Sequence, residues 1–408
     1  MTAEFTGWHV LAEFGGVDAD LCNDLGRLEK ALRESLVGAG ITICDMVHKQ
    51  FTPQGVTVLA LLSESHASIH TYPESGDIFV DVFTCGNSGS GGGGPEMAVE
   101  LLRQSLSPTE VRMSTMRRGR AGHRVEEPVG PGLTRTWDLT EVLVDTRTEF
   151  QHLVIARTGQ GIGLFSDNDR QSTEFSQLTY HEAMMVPAFV LAEKLDNVLI
   201  IGSGEGVASQ MSVAAGATRV DHVDIDRIAV QLCAEYLPYG YTTDELAAAV
   251  EGTGPVRMYY ADGWDFLTEA AAEGVRYDVI VIDLPDERTE DSQHNRLYEV
   301  EFLQRCRALL APGGVLAAQA GCATMWRNET LKRSWQRFHE QFGTVVHYGS
   351  DEHEWSFLFG LVDIVADPVP RMIDRLELIP YKAGTLDGPA LVRGAIEPYA
   401  LRGAHASP

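Results

Sequence analysis

The chain has few cysteines, and no two of them are closely spaced. Its 408 residues include six cysteines and no Cys-x-x-Cys pair. This argues against a zinc ribbon and against the disulfide framework of small secreted domains. All of them but Cys85 are expected to be free buried thiols in a reducing compartment: Cys22, Cys44, Cys233, Cys306 and Cys322.

Positive charge is also scarce, and long apolar runs are missing. The sequence has 32 basic against 58 acidic side chains, a formal net charge of −26. Because phosphate contacts need a basic patch, nucleic-acid binding is not expected. With neither a signal-peptide pattern nor a run of apolar residues long enough to span a bilayer, we expect a soluble cytoplasmic protein that does not bind membranes.

The first 122 residues have the pattern of a small α/β domain. Leucines at helical spacing over 21–36 predict a helix, and 41–47 and 56–62 predict strands. A glycine-rich loop, 89–94, leads to Pro95, a typical first residue of a helix. The resulting βαββ–αβ order fits a two-layer α/β sandwich.

The rest of the chain predicts a different architecture. The polar stretch 117–132 predicts a linker, and short strands over 137–166 predict a small β domain. From Tyr180 onward strands alternate with helices, which predicts a Rossmann-like, doubly wound parallel sheet. The α/β chain is therefore divided into residues 1–122, 123–180, 181–384 and a tail, 385–408.

Two segments of the first domain carry its chemistry, SESHASIHTYPE at 63–74 and DVFTCG at 81–86. They resemble the self-cleaving centre of bacterial S-adenosylmethionine decarboxylases, within similarity that covers 7–119. The resemblance implies cleavage between Glu64 and Ser65, which converts Ser65 into a pyruvoyl cofactor, with no metal. That ketone would form an imine with the substrate amine and act as an electron sink for decarboxylation.

The same resemblance assigns the other residues of this centre. His70 and Thr57 take the family's processing positions, and Cys85 takes that of the proton donor. Phe51 and Tyr72 would stack on the two faces of adenine. Because Tyr72 replaces the family's usual tryptophan, ornithine or arginine stays open as an alternative substrate.

In the second half, three strand ends point to nucleoside binding. An apolar strand at 198–201 runs into the glycine-rich turn 202–206, a strand ends in acids at 222–226, and Asp262 follows a third strand. Together with YHE at 180–182 and the Asp-x-x-Asp that ends 277–286, this region resembles spermidine synthases, which transfer an aminopropyl group to an amine. The similarity covers roughly 137–365.

A protonated amine has no lone pair with which to attack, so this reaction needs a carboxylate beside the acceptor. By resemblance, Asp283 is that base, and Asp286 and Glu205 hold amino groups of acceptor and donor. The remaining substrate-binding positions are Asp224 for the ribose, Asp262 and Gln151 for the nucleoside, Tyr180, Gln171 and Gln319 along the channel, His181, and Trp355 as an anchor.

Several positions depart from the synthase pattern. Glu205 replaces an aspartate, 287–290 lacks the usual Pro-x-Gly-Pro, and the acceptor loop is shortened to 348–355. These differences leave the acceptor amine open.

The sequence therefore predicts a bifunctional enzyme of polyamine biosynthesis. The first domain would decarboxylate S-adenosylmethionine, and the second would transfer the aminopropyl group to a putrescine-like amine, giving a spermidine-like polyamine and methylthioadenosine. Both resemblances imply a homo-oligomer. The alternative is a second half that binds nucleoside without turnover. A methyltransferase fits the Asp-x-x-Asp motif poorly.

Overall fold

A computed structural model of the chain describes residues 6–63, 65–85, 94–119, 124–287, 293–351 and 354–402. It divides into two compact units, Met1–Gly122 and His123–Pro408. No helix among the described residues combines the length and apolar character needed to cross a membrane.

The first unit is a two-layer α/β sandwich, as predicted. Its elements are β1 (Thr6–Gly15), α1 (Ala19–Cys22), α2 (Leu25–Gly38), β2 (Ile43–Gln50), β3 (Val56–Leu62), β4 (Ser65–Tyr72), β5 (Asp77–Cys85), α3 (Pro95–Leu106) and β6 (Glu110–Gly119). The strands form one antiparallel sheet in the order β2-β3-β4-β5-β1-β6.

Alternation along these strands gives the sheet two different faces. Inward side chains such as Val58 and Val80 are buried with the apolar faces of α2 and α3 in one core. Outward apolar side chains are exposed instead: Leu11, Leu59, Leu61, Phe79 and Met116.

Three details of this unit differ from the sequence prediction. Four strands separate α2 from α3, where the βαββ–αβ order has two, although the sequence of 77–83 itself predicts a strand and forms β5. The helix expected over 21–36 is two helices, because Asp24 caps a new one by accepting a hydrogen bond from the Arg27 amide at 3.0 Å. Cys44 was expected to be buried but is exposed on β2.

The second unit begins with strands where a linker was predicted. Residues 124–130 and 133–138 form a two-stranded antiparallel sheet. Pro128 is accommodated because each strand of such a pair has a free edge. A four-stranded sheet in the order β12-β11-β10-β9 follows and forms the small β domain. The strands concerned are β7 (Arg124–Gly130), β8 (Leu133–Asp138), β9 (Glu141–Arg147), β10 (His152–Thr158), β11 (Gly161–Ser166) and β12 (Asp169–Thr173).

A seven-stranded sheet then confirms the Rossmann-like fold, in the order β15-β14-β13-β16-β17-β19-β18. The five strands from β13 to β17 are parallel to one another, while β19 is antiparallel to both of its neighbours, β17 and β18. Its strands are β13 (Asn197–Gly202), β14 (Arg219–Asp224), β15 (Val256–Tyr260), β16 (Tyr277–Asp283), β17 (Leu310–Gln319), β18 (Thr344–Gly349) and β19 (Ser356–Leu361).

Helices cover both faces of this sheet, and the middle residues of the central strands β13 and β16 are therefore apolar and buried. The helices are α4 (Gln177–Leu191), α5 (Val207–Ala214), α6 (Arg227–Tyr236), α7 (Thr243–Glu251), α8 (Gly263–Glu273), a 3₁₀ helix (Gln293–Tyr298), α9 (Val300–Leu309), α10 (Glu329–Gln341), α11 (Pro368–Leu376), α12 (Gly388–Gly394) and α13 (Tyr399–Arg402). The last two lie in the segment that the sequence analysis left as a tail.

Candidate active sites

A cavity of about 440 Å³ opens at the carboxyl ends of β13, β14 and β16. Because these strands are parallel, residues that follow each of them meet at one edge of the sheet. Ten of the eleven site residues predicted for the second half line this cavity: Gln151, Gln171, Tyr180, Glu205, Asp224, Asp262, Asp283, Asp286, Gln319 and Trp355.

The glycine-rich turn after β13 brings the backbone close to its neighbours. Gly206 has a φ of 84°, and a Cβ atom there would collide with the ring of Tyr241. The turn places the Glu205 side chain, only 8% exposed, against β12. There the Ser172 hydroxyl donates a hydrogen bond to Glu205 Oε1 at 2.7 Å. The carboxylate is thereby fixed at the wall of the cavity.

Asp283 ends β16 inside the cavity. The Tyr180 hydroxyl donates a hydrogen bond to Asp283 Oδ1 at 2.5 Å. Burial raises the pKa of Asp283, His181 and hydrogen bonds oppose this, and the charge of Glu205 adds to it. Burial together with Asp283 raises the pKa of Tyr180 well above its usual value, so the phenol stays a donor. A raised pKa and a held orientation are what a proton acceptor at this position would need.

Asp224 and Asp226 lie at the end of β14. Burial raises the pKa of Asp224 to about 7, although the Asp226 amide donates a hydrogen bond to it at 2.8 Å. Asp226 caps α6 and accepts hydrogen bonds from Thr148 at 2.6 Å and Gln151 at 2.8 Å. Gln151 is thus held by an acid that the sequence analysis did not select as a site residue.

Asp262 follows β15, lines the cavity and caps α8. Its Oδ1 accepts a hydrogen bond from the Trp264 amide at 2.8 Å, and its Oδ2 pairs with Arg296. This carboxylate is held by the start of the helix and by a cation, so its position in the cavity is fixed.

Asp286 lies three residues beyond Asp283, and its carboxylate accepts hydrogen bonds from two side chains among the described residues. Gln319 Nε2 donates a hydrogen bond to Oδ1 at 2.7 Å, and Arg327 Nε donates one to Oδ2 at 3.1 Å. Arg327 also lies over the ring of Trp355, 5.6 Å from its centroid. The end of the cavity around Asp286 therefore contains a guanidinium group as well as carboxylates.

In the first unit, the predicted residues lie at two ends of the sheet. Thr57 Oγ1 hydrogen-bonds with His70 Nδ1 at 2.8 Å, at the end of β4 where Tyr72 and Phe51 also lie exposed. Ser65 begins β4, five residues away, a distance of about 17 Å along an extended strand. Glu64 lies outside the described residues.

Cys85 lies at the same end of the sheet as Ser65. The register pairs His66 on β4 with Phe83 on β5, so the start of β4 faces the end of β5, where Cys85 is half-buried. The structure therefore brings Ser65 and Cys85 to one end and leaves His70 and Thr57 at the other.

Next to Ser65 is a cluster of His9, His66 and Asp81. His66 Nδ1 is 3.3 Å from the Ser65 hydroxyl, and Asp81 pairs with His9 at 2.9 Å and with His66 at 3.4 Å. Their possible ligand atoms lie within 4.8 Å of one another. Because Arg118 Nη1 approaches His9 Nδ1 at 3.3 Å, a cation already adjoins this cluster, and we interpret it as a hydrogen-bonded group rather than a metal site.

Comparisons with known proteins match both halves of the chain. A family model described as S-adenosylmethionine decarboxylase matches residues 8–119, and one described as spermine/spermidine synthase domain matches 177–349. An S-adenosylmethionine decarboxylase proenzyme of Brevibacillus brevis is 42% identical over 122 residues, 30% of this chain and 89% of that protein. A polyamine aminopropyltransferase of Synechococcus sp. is 34% identical over 256 residues, 59% of this chain and 79% of that protein.

The chain belongs to both families. It is a fused, bifunctional enzyme of polyamine biosynthesis, as the sequence analysis predicted. A solved spermidine synthase from Thermotoga maritima has the same fold as the synthase part, with a TM-score of 0.57 at 18% identity over 70% of this chain and 96% of that one.

One predicted residue of the synthase domain lies apart from the cavity. His181 is 1% exposed, and its Nδ1 hydrogen-bonds with the Gln177 carbonyl within α4 at 2.7 Å. It influences Asp283 through charge but does not line the cavity wall. A direct contact of His181 with substrate stays a prediction.

Sequence reasoning missed Asp226 and Arg327 in the synthase domain and the His9 cluster in the decarboxylase domain. Asp226 carried a usable signal, because it stands two residues after Asp224 at the start of a helix. Arg327 carried none, since 41 residues separate it from Asp286 and it lies outside every regular element.

Proposed function

We propose that the decarboxylase domain cuts itself before Ser65 and then decarboxylates S-adenosylmethionine, and that the synthase domain transfers the resulting aminopropyl group to an amine. The observation that carries the transfer step is the Tyr180–Asp283 hydrogen bond inside the cavity that Asp224 and Glu205 also line.

Maturation would begin when Ser65 Oγ attacks the carbonyl carbon of the preceding peptide bond. The acyl group moves from nitrogen to oxygen, and β-elimination then expels it as a carboxylate. The remaining dehydroalanine takes up water and loses ammonia, which leaves a pyruvoyl group. Bound at this position, that ketone supplies an electrophile for the substrate amine. Cys85, at the same end of the sheet, would donate the proton that replaces the lost carboxylate.

His70 and Thr57 are too far from Ser65 of the same chain to act on it. An exposed apolar face runs between the two ends of the sheet, with Leu59, Leu61 and Phe79 among its side chains. We infer that a second copy packs on this face in the opposite direction, so that His70 of one copy serves Ser65 of the other.

Coexpression of two inactive variants tests whether the processing site is shared between two copies of the chain. Ser65→Ala chains lack the residue that is cut, and His70→Ala chains lack the processing histidine. Their mixture should restore cleavage of the His70→Ala chains, measured on a denaturing gel with differently tagged copies. Absence of any cleavage in a confirmed mixed assembly would show that one copy contains the whole site.

In the synthase domain, Asp283 would take a proton from the acceptor ammonium. The freed amine then attacks the carbon next to the sulfonium of decarboxylated S-adenosylmethionine. The carbon–sulfur bond breaks, and methylthioadenosine leaves with the electron pair. Glu205 would hold the donor's amino group and Asp224 the ribose hydroxyls, which aligns donor and acceptor for displacement.

Mass spectrometry of the purified enzyme with S-adenosylmethionine and single amines tests decarboxylation and aminopropyl transfer together. Carbon dioxide, methylthioadenosine and an amine heavier by one aminopropyl group are the expected products. Ornithine and arginine belong in the same experiment as alternative substrates. Carbon dioxide from either of them, and none from S-adenosylmethionine, would overturn the assignment of the first domain.

A further inference from the structure

A polar cluster of His9, His66 and Asp81 lies on the outward face of the decarboxylase sheet, beside Ser65. The three residues belong to β1, β4 and β5, and the strand register places Phe83 opposite both His9 and His66. The centroid of the Phe83 ring lies 5.3 Å from that of His9 and 6.0 Å from that of His66. The aromatic ring therefore packs against both imidazoles near the start of β4.

Arg118 determines which nitrogen of His9 carries hydrogen. A guanidinium offers only N–H donors, and Arg118 Nη1 lies 3.3 Å from His9 Nδ1, so this nitrogen must accept. His9 Nε2 is then the N–H that donates a hydrogen bond to Asp81 Oδ2 at 2.9 Å. Arg118 also lies over the ring of Phe83, 4.8 Å from its centroid. His9 therefore binds one oxygen of Asp81 through a defined tautomer.

The other oxygen of Asp81 points the same argument toward His66. Asp81 Oδ1 is shielded from solvent and accepts no hydrogen bond within the described part of the chain, although His66 Nε2 lies 3.4 Å from it. Because a shielded carboxylate oxygen favours a donor, Nε2 is the nitrogen of His66 that carries hydrogen. Nδ1 then keeps its lone pair, and this nitrogen lies 3.3 Å from Ser65 Oγ. Contacts of this kind are often long before reaction and shorten during it.

Cleavage before Ser65 needs two separate proton transfers. In the first, the hydroxyl proton leaves as Oγ attacks the preceding carbonyl carbon, and the amide nitrogen gains a proton as its bond to that carbon breaks. In the second, the Cα proton leaves as the ester is eliminated. The first transfer requires a base at Oγ. A hydroxyl, an imidazole and a carboxylate in this order form an arrangement that activates a serine.

We propose that His66 is the base for the first proton transfer, and that Asp81 and His9 are positioning residues for it. His66 Nδ1 would take the hydroxyl proton from Ser65 of its own chain and return it to the departing nitrogen, so that the acyl shift balances without an external proton. The second transfer is left to His70 of the other copy. This inference rests on the proposed self-cleavage and specifies the group that starts it.

Cell-free synthesis of the full chain allows cleavage to be timed on a denaturing gel. His66→Asn keeps a hydrogen-bond acceptor close to the position of Nδ1 but has no base, so cleavage should slow by about 10²- to 10⁴-fold. The stalled chain should stay whole in hydroxylamine, which cuts esters much faster than amides. Asp81→Asn should slow cleavage by about tenfold or more, because it removes the charge that orients His66.

His48→Asn is a matched control, because His48 is exposed on β2 and pairs with Glu29 at 3.1 Å. It should be cut at the wild-type rate. Equal rates for His66→Asn and the wild type would overturn the inference, and so would a stalled chain that hydroxylamine cuts, since the ester would then form without His66. A stalled chain with a lowered unfolding temperature would give His66 a structural role instead. A wild-type chain that is never cut before Ser65 would remove the proposed self-cleavage itself.

Discussion

The two domains assemble their candidate sites in opposite ways. In the synthase domain, residues between 151 and 355 converge on one cavity. The acids predicted from the sequence come from the ends of β13 to β16, because parallel strands release their following loops at the same edge. In the decarboxylase domain, residues 57–85 lie close together in sequence but are distributed to two ends of an antiparallel sheet.

This contrast shows that residues close together in sequence can lie far apart in space when they share a strand of an antiparallel sheet. Ser65 and His70 share one strand, and the length of that strand separates them. The synthase site is also enclosed by its own domain, whereas His66 and His70 are exposed on an open face. In the two-copy arrangement proposed above, another copy of the chain would enclose this face.

The largest expected effect is that of Ser65→Ala, which should abolish decarboxylation and leave aminopropyl transfer intact. The variant cannot form an ester at residue 65, so we expect one uncut chain without decarboxylation. Transfer from supplied decarboxylated donor should be retained. Gel electrophoresis and intact mass measure the first outcome, and methylthioadenosine release measures the second. Ser63→Ala, in the same polar stretch, should still be cut, and cleavage of Ser65→Ala itself would refute the assignment.

Asp283→Asn should make the converse separation. Loss of a general base commonly costs about 10²- to 10⁴-fold in rate, so transfer should fall by that order while decarboxylation is unchanged. In the wild-type enzyme, kcat/KM for transfer should rise with pH through the elevated pKa of Asp283, because only its carboxylate accepts a proton. The exposed Asp244→Asn is the control, and equal transfer rates in the two variants would exclude Asp283 as the base.

Asp224→Asn should change how methylthioadenosine binding depends on pH. The carboxylate accepts hydrogen bonds from ribose hydroxyls better than the acid does. With a pKa of about 7 in the free domain, affinity should rise through that pH, by up to about tenfold per pH unit below it. The asparagine variant should bind more weakly and without this slope, as calorimetry at several pH values would show. If the affinity of the asparagine variant still rises with pH, another titrating group causes the pH dependence.

The raised pKa of Asp224 also makes the free energy of unfolding depend on pH. The folded pKa of Asp224 lies above the unfolded value of about 4, so the unfolded chain releases this proton first as pH rises. Its contribution to stability, present at low pH, is therefore lost as pH rises through about 7. Asp224→Asn should remove that part of the pH dependence of unfolding.

Much of the fold and of the synthase cavity could be predicted because local patterns carried the information. The apolar strand before Gly202 and the acids after β14 and β16 identify strand ends, and parallel topology then gathers them. Arg327 could not be predicted, since its meeting with Asp286 depends on the path of an irregular segment across the cavity. The separation of Ser65 from His70 follows from strand geometry once β4 is recognised as a single strand.

The C-terminal segment was the other failure of sequence reasoning, and Glu182 explains how residues 381–385, which lead into it, are held in place. This residue stands in the YHE motif but lies 1% exposed beneath the segment. It accepts hydrogen bonds from the Tyr381 hydroxyl at 2.8 Å, the Gly384 amide at 2.7 Å and the Thr385 amide at 2.6 Å. A composition rich in glycine, alanine and proline gave no sign of a buried carboxylate partner 200 residues earlier in the chain.

Glu182→Gln should have the smallest effect of this series, confined to the stability of the synthase unit. An amide offers one acceptor oxygen where the carboxylate offers two, so we expect a loss of about 2 kcal/mol in unfolding free energy. Hydrogen exchange at the Gly384 and Thr385 amides should accelerate, while cleavage at Ser65 is unaffected. The exposed Glu273→Gln should change neither quantity. Unchanged exchange in Glu182→Gln would mean that packing of Leu386 and Leu391 in the core, rather than this carboxylate, holds the segment.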